Sequence, residues 1–374
     1  MSYNYENNKD NLVNNKDNLV NNKDSSIAKK VLITGVTGQD GSNMIDFLLK
    51  NTNHKIYGTI RSLSNPNHDN INEFKNEDRL KLLNMDLTDG CSITNTISNL
   101  KPDYFINFAA QSFVGESWNQ PITTFMTNSI SVIHILEAIR IYCPKCRFYS
   151  AGSSEEFGDV EIVPQTLTHP LKPRSPYGAS KCAARHIVKV YRESYNLFAV
   201  HCVLFNHEGI KRGKQFVTRK ITSNLARIKK EIESGDKKPI NFKLGNIYAK
   251  RDWSDSEDFV EAVWLMLNRD IPKEYLLSSN SEHSVKDFVD LSCKYLELDV
   301  KWLIDEQNPI NTKLVLKNNN HPIITISEEF YRPAEVDILV GNSKSTWEEL
   351  NWEPKTTFEK LIKKMIDHDY KNLI

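Results

Sequence analysis

The chain has 374 residues, enough for one large or two ordinary domains around a sizeable core. Its 48 Lys plus Arg balance 48 Asp plus Glu, so no long-range field draws in nucleic acid or an anionic membrane. With 39% hydrophobic and 10% aromatic residues it reads as soluble and globular, and no apolar run approaches the roughly 20 residues of a membrane span.

The amino-terminal segment shows no apolar run behind a basic start, which makes the cytosol the expected address. Residues 7–27 read NNKDNLV NNKDNLV NNKDSSI. The apolar pairs Leu12-Val13 and Leu19-Val20 are adjacent rather than three or four apart, so residues 1–28 are expected to be a disordered Asn-rich tail, not a coiled coil. From Lys30 to Thr34 a β-branched run predicts a strand, followed by Gly35 and an amphipathic helix over Asn43–Lys50. The pattern recurs with strands at Lys55–Ile60, Leu80–Asp86, Tyr104–Asn107, Phe148–Ala151 and Ala199–Phe205, and helices at Ile130–Tyr142 and Tyr177–Tyr195. That alternation predicts an α/β fold: a Rossmann-type, doubly wound parallel sheet with helices on both faces, spanning residues 29–205.

Beyond Phe205 the rhythm breaks into a basic segment, Lys211–Lys220, and a polar helix near Arg219–Ser234. Asn308–Pro322 reads as a Pro/Asn-rich loop, and a terminal helix begins near Thr357. Residues 206–374 are therefore expected to form a smaller, interleaved substrate-binding α/β lobe, with strands near 241–280 returning to the first sheet. The six cysteines show no paired framework. Cys143-Pro-Lys-Cys146 has the spacing of a zinc or redox site, but lacking a second pair or a nearby histidine it reads as a loop with two thiols, and no metal is expected.

Gly35-Val36-Thr37-Gly38-Gln39-Asp40-Gly41 joins the first strand to its helix. Side chains at those glycines would hold the backbone away from a pyrophosphate, while the helix's first N–H groups carry partial positive charge. In this strand–turn–helix setting Gly35, Thr37, Gly38, Gln39, Asp40 and Gly41 are the expected cradle of a dinucleotide. The second strand ends in Arg61 where an NAD site usually carries an acid. Arg61 favours a 2′-phosphate and hence NADP; the other reading is a solvated arginine. Asp86 and Leu87 are placed to reach the adenine edge, and Ala109, Ala110, Gln111 and Ser112 to pass beneath the nicotinamide half.

Ser175 is a good N-cap and Pro176 suits the first helical position, so Tyr177 and Lys181 fall four apart on one helix face. An ammonium beside a phenol favours the phenolate, which predicts a tyrosine pKa lowered from about 10 toward neutrality. Such a tyrosine removes a hydroxyl proton while hydride leaves the same carbon. After the fifth strand Ser153 can hydrogen-bond the reacting oxygen, and a carboxylate just beyond adds a second proton transfer at a neighbouring carbon. The pattern alone does not choose between Glu155 and Glu156.

These residues resemble the extended short-chain dehydrogenases/reductases, and within them the GDP-mannose 4,6-dehydratase family. The resemblance runs from about Lys29 to Lys364 and rests on GVTGQDG (35–41), RSPYGASK (174–181), LFNHEGIKRGKQFVTRKI (204–221), LGNIYAKRDW (244–253) and YRPAEVD (331–337). The family's strand-five motif lands on Ser153, Ser154 and Glu155, which picks Glu155 as the base. The resemblance further implies cofactor contacts at Tyr177, Lys181, His207 and Arg212. Substrate contacts are implied at Ser112, Ser153, Glu155, Asn206, Val217, Lys220, Arg251 and Arg332. NADP is the implied cofactor, GDP-mannose the implied nucleotide-sugar substrate, and a homodimer or homotetramer the implied assembly. Of Lys211, Arg212, Lys214, Arg219 and Lys220, two or three are expected to touch phosphate and the rest to be surface charge. In two places the sequence departs from the family: Arg61 is followed by Ser62-Leu63-Ser64 rather than by further arginines, and Phe113 replaces a usual histidine. A reductase or epimerase on a similar nucleotide sugar would need Tyr177 and Lys181 but not Glu155; a non-catalytic dinucleotide-binding scaffold would need none of them.

Overall fold

The computed structural model describes residues 27–61, 68–330, 336 and 338–373. The repeat through residue 26, the Ser62-Leu63-Ser64 segment and Arg332 lie outside the described residues.

Six strands, β1 (Lys30–Thr34), β2 (Lys55–Ile60), β3 (Leu80–Asn84), β4 (Tyr104–Asn107), β5 (Arg147–Ala151) and β6 (Ala199–Leu204), build the main sheet with a seventh, Glu274–Leu277. The order is Glu274–Leu277, β6, β5, β4, β1, β2, β3, and every pairing is parallel. Central strands such as β4 and β6 are buried at every residue because helices cover both faces, whereas β3 at the edge is largely exposed. Val31, Leu32 and Ile33 are fully buried, each contributing roughly 1.5–3 kcal/mol of hydrophobic transfer. One face packs the helices Gln39–Asn51 and Ser256–Leu267, with Met44, Leu48, Val263 and Trp264 in the core. Against the other lie Gly90–Leu100, Pro121–Tyr142 and Pro176–Tyr195, contributing Ile93, Ile135, Ala184 and Val188.

Strand order reverses at β1, whose neighbours β2 and β4 lead away in opposite directions, so the carboxyl ends open a crevice there. The helix Pro121–Tyr142 is long and apolar enough to cross a membrane by length and composition, although the sequence holds no unbroken apolar run of that length. Half of its apolar window is buried inside the protein, where Val132, Ile135, Leu136 and Ile139 face the core.

The second lobe packs the helices Val217–Glu233, Val285–Tyr295 and Phe358–Lys371 against a four-stranded sheet ordered Val300–Leu303, Lys313–Leu316, Pro322–Ile326, Phe242–Leu244. Here the expectation of a loop over Asn308–Pro322 is wrong. Its asparagines sit in a short 3₁₀ turn, Pro309–Asn311, and in the turn after Leu316, while Leu314-Val315-Leu316 between them is a buried strand. Strands near 241–280 divide between the lobes: Glu274–Leu277 extends the main sheet beside β6, and Phe242–Leu244 pairs with Pro322–Ile326.

Candidate active site

At the switch point the Gly35–Gly41 turn makes a cradle that side chains would fill. Gly35 has φ +71°, and a Cβ there would meet the Ala109 nitrogen at 2.8 Å. A Cβ on Gly41 would come within 2.3 Å of the Gly35 carbonyl oxygen. The helix Gln39–Asn51 starts at Gly38 with no side-chain cap, so its first N–H groups are available to a pyrophosphate. A dinucleotide therefore fits this turn. Asn70, which nothing in the sequence singled out, donates to the Thr37 carbonyl at 3.0 Å and to the Lys211 carbonyl at 3.2 Å, tying the cradle to the basic segment. Across the crevice floor Thr34 Oγ1 donates to Asn107 Oδ1 at 2.7 Å and accepts from the Ala109 N–H at 3.0 Å. Thus the ends of β1 and β4 are locked together and Ala109 is presented at the crevice.

Tyr177 and Lys181 arise as their spacing predicts. The Ser175 hydroxyl accepts from the Gly178 N–H at 3.0 Å, Pro176 occupies the first helical turn, and both side chains are buried one turn apart. Their electrostatics differ from expectation. The Lys181 ammonium donates to the Ala151 carbonyl at 2.7 Å and lies 5.8 Å from the Tyr177 ring centre, so it grips the end of β5 rather than the phenol. Burial pushes the Tyr177 phenol up to about 12; a hydrogen bond with Ser153 and the charge of Arg212 oppose that rise, and Glu155 adds to it. Burial likewise lowers Lys181 to about 8, against the pull of Glu156 and Asp40. The expected phenol near neutrality is therefore corrected, because desolvation outweighs a cation that spends its hydrogen bond elsewhere.

A pH dependence follows. If turnover needs Lys181 as a cation, it is present below about 8 and lost as pH rises through that value. kcat/KM is expected to show an alkaline limb there, and a profile still flat well above that pH would contradict it.

The two neighbouring glutamates separate cleanly. Glu156 is fully buried, accepts from the Ser153 N–H at 2.8 Å and meets His201 Nε2 at 3.1 Å. Glu155 is half-buried at the crevice, close enough for its charge to act on Tyr177, and its N–H donates to Ser153 Oγ at 3.3 Å. Ser153, Glu155, Tyr177 and Lys181 thus converge.

Asp40 and His207 form a pair from opposite sides of the crevice. His207 Nε2 lies 3.0 Å from Asp40 Oδ2, and Nδ1 is 2.8 Å from the Phe205 carbonyl. Contact with Asp40 raises the His207 pKa against burial, and His207 with Arg212 lowers that of Asp40. Gln39 donates to the His207 carbonyl at 3.0 Å. Arg212 lies 3.6 Å over the Phe216 ring, and Phe216 meets Phe113 edge-on at 5.8 Å, joining the second lobe to the loop after β4. Gln111 in that loop is held by Asn128, which accepts from its N–H at 2.9 Å and donates to its carbonyl at 3.1 Å and to Ser180 Oγ at 3.0 Å. Asn128 lies in a π-helical turn, Met126–Ile130, and escaped notice; its one signal is an amide on the buried face of an apolar helix.

Other named residues sit further out. Arg61 and Ser112 are exposed, Ala110 half-buried and Leu87 buried. Asp86 accepts from the Thr88 N–H at 2.8 Å and hydroxyl at 2.7 Å. On the second lobe Asn206 pairs in register with Trp253, Val217 is exposed, Lys220 Nζ lies 3.4 Å over the Phe330 ring, and Arg251 donates to the Lys250 carbonyl at 2.8 Å. Within the basic run, Arg219 is neither a phosphate contact nor surface charge. It is buried against Asp369 at 2.6 and 3.2 Å and donates to the Arg212 carbonyl at 3.1 Å. Breaking such a pair costs roughly 3–5 kcal/mol, so Arg219 holds the segment in place. Lys211 pairs with Glu73 at 2.9 Å.

A doubly wound parallel sheet, a glycine cradle at its switch point and a Tyr177–Lys181 pair beside Ser153 define a short-chain dehydrogenase/reductase of the extended kind. The family model described as GDP-mannose 4,6 dehydratase matches residues 32–365. GDP-mannose 4,6 dehydratase 2 of Arabidopsis thaliana is 40% identical over 351 residues, covering 91% of this chain and 87% of the relative. The GDP-mannose 4,6 dehydratase of Homo sapiens is 38% identical over 347 residues, covering 90% of each. Among solved structures, the dTDP-glucose 4,6-dehydratase of Bacillus anthracis shares the fold with a TM-score of 0.74 at 20% identity, over 92% of this chain and 98% of that one. The chain belongs to the GDP-mannose 4,6-dehydratase family.

Proposed function

We propose that the protein converts GDP-mannose to GDP-4-keto-6-deoxymannose with NADP as a recycled cofactor. The observation that carries this reading is the convergence of a second acid–base group, Glu155, on the Tyr177–Ser153 pair, which a reductase or epimerase does not require. Bound NADP supplies the hydride acceptor for C4 and the donor for C6, so none is consumed. Tyr177 takes the C4 hydroxyl proton while Ser153 holds the same oxygen. Arg212 and the Ser153 hydrogen bond are the chain's own groups that draw the phenol toward its ionised form. Once C4 is a ketone, C5–H is acidic; Glu155 removes that proton and delivers it to the departing C6 hydroxyl, which leaves as water. A proton returned to C5 completes the 4-keto-6-deoxy sugar.

Gly35, Thr37, Gly38, Gln39, Asp40 and Gly41 would hold the pyrophosphate half, with Arg61 on the 2′-phosphate, Asp86 and Leu87 at the adenine, and Ala109–Ser112, His207 and Arg212 toward the nicotinamide. Asn206, Val217, Lys220, Arg251 and Arg332 would line the substrate side, where Arg212 and Lys220 supply positive charge for the diphosphate. A homodimer or homotetramer is part of the same reading, supported by exposed Ile122, Ile141, Val190 and Tyr195 on the paired helices Pro121–Tyr142 and Pro176–Tyr195. Six free cysteines support a cytosolic setting.

The test is incubation of purified protein with GDP-mannose and a catalytic amount of NADP⁺. The 4-keto-6-deoxy product is expected without net cofactor reduction, and more slowly with NAD⁺. No keto product, or stoichiometric cofactor turnover, would contradict the reading.

A further inference from the structure

Beneath the site lies a buried ionic cluster that the mechanism does not use. We propose that Glu156, held by His201 and Arg185, is a positioning residue for the acid–base pair: it fixes the Ser153 main chain and adds a negative charge that favours Lys181 as a cation. The proposal rests on the dehydratase reading for the step it serves.

Glu156 and His201 are fully buried, and Arg185 nearly so. Glu156 Oε1 accepts from the Ser153 N–H at 2.8 Å, and His201 Nε2 lies 3.1 Å from the same oxygen. On its other side His201 Nδ1 lies 3.3 Å from the Ser150 hydroxyl. The pair therefore grips the end of β5 on both sides of Gly152. No side chain fits between: a Cβ on Gly152 would lie 2.4 Å from His201 Nε2 and 2.6 Å from Glu156 Oε1.

Arg185, on the same helix as Tyr177 and Lys181, reaches Glu156 Oε2 at 3.7 Å while donating to Glu274 at 3.3 and 3.0 Å. Arg192 adds a contact to Glu274 at 3.9 Å. One cluster thus ties the catalytic helix, the end of β5 and the outer strand Glu274–Leu277 together. Apolar side chains replacing the whole cluster would pack this space at no necessary cost in stability, since buried ion pairs are often neutral or costly against hydrophobic replacements of all partners. Packing alone therefore gives no reason for charge here.

The charges that face Lys181 are Glu156 from the turn after β5 and Asp40 from the helix Gln39–Asn51. The groups around Glu156 are His201, Arg185, Tyr177, Lys181, Cys182 and Cys202. Both acids favour the protonated Lys181 against burial.

The test compares the full-length chain with its Glu156→Gln and Glu156→Leu variants, after thermal melts establish folding. Gln keeps an acceptor for the Ser153 N–H but loses the charge; Leu loses both. Ionisation of Lys181 is first read without sugar, as the pH dependence of its reductive methylation by mass spectrometry. In Glu156→Gln it is expected to fall by about half a pH unit or more. With GDP-mannose, kcat is expected to drop about tenfold in Gln and about 100-fold in Leu, as a displaced catalytic group would give, with KM little changed. If Leu does not fold, the Gln labelling and pH profile still decide. An unmoved Lys181 ionisation with wild-type kcat in Glu156→Gln would overturn the proposal. A shifted Lys181 in a protein that does not turn over GDP-mannose would support the positioning role and overturn only the substrate reading.

Discussion

Glu155→Gln is expected to stop the reaction halfway. Tyr177, Ser153 and Lys181 remain, so C4 is still oxidised and a GDP-4-keto sugar that retains its C6 hydroxyl accumulates to about one equivalent per active site. Only the C5 proton transfer and the loss of water are blocked, and overall turnover falls by about 10²–10⁴-fold, the range for removing a positioned general base. The carboxamide keeps the shape of Glu155, its main-chain N–H still donates to Ser153 Oγ, and Glu156 still accepts from the Ser153 N–H. Mass spectrometry of acid-quenched single turnovers distinguishes the trapped ketone from product. Full dehydratase activity in this variant would remove Glu155 from the mechanism.

Tyr177→Phe should fail one step earlier. Without the phenol the C4 hydroxyl loses its base, and Lys181 does not take over because its ammonium is turned to the Ala151 carbonyl, 5.8 Å from the ring centre. No 4-keto intermediate should appear in a single turnover, and kcat should drop by about 10²–10⁴-fold. Accumulated ketone in this variant would show that another base serves C4. Together the two variants order the chemistry, since each blocks a different bond.

The parts of this site that local chemistry determines are legible in the sequence. β1, β2 and β4 lie within the stretches their β-branched runs mark, and Thr357 caps the last helix where the pattern places its start. Tyr177 and Lys181 share a face because a Ser-Pro start sets the phase of the helix. What escapes depends on partners distant in sequence. Arg219 looks like one cation in a basic run until Asp369, 150 residues on, neutralises it. Glu155 and Glu156 are equivalent as letters and opposite in role, because His201 and Arg185 arrive from β6 and from the catalytic helix to bury one of them. The sequence places Lys181 beside the phenol, but four-residue spacing fixes only the face, and the end of β5 offers its ammonium a carbonyl at 2.7 Å. The strand Lys313–Leu316 was masked by flanking asparagines, which belong to turns on either side of a buried apolar triplet.

Internal return of hydride is the central claim, and isotope transfer tests it most directly. GDP-mannose deuterated at C4 should give a 4-keto-6-deoxy product carrying that deuterium in its C6 methyl group, in ordinary water and with unlabelled NADP⁺ present only in catalytic amount. Product that forms with no deuterium at C6 would contradict the account.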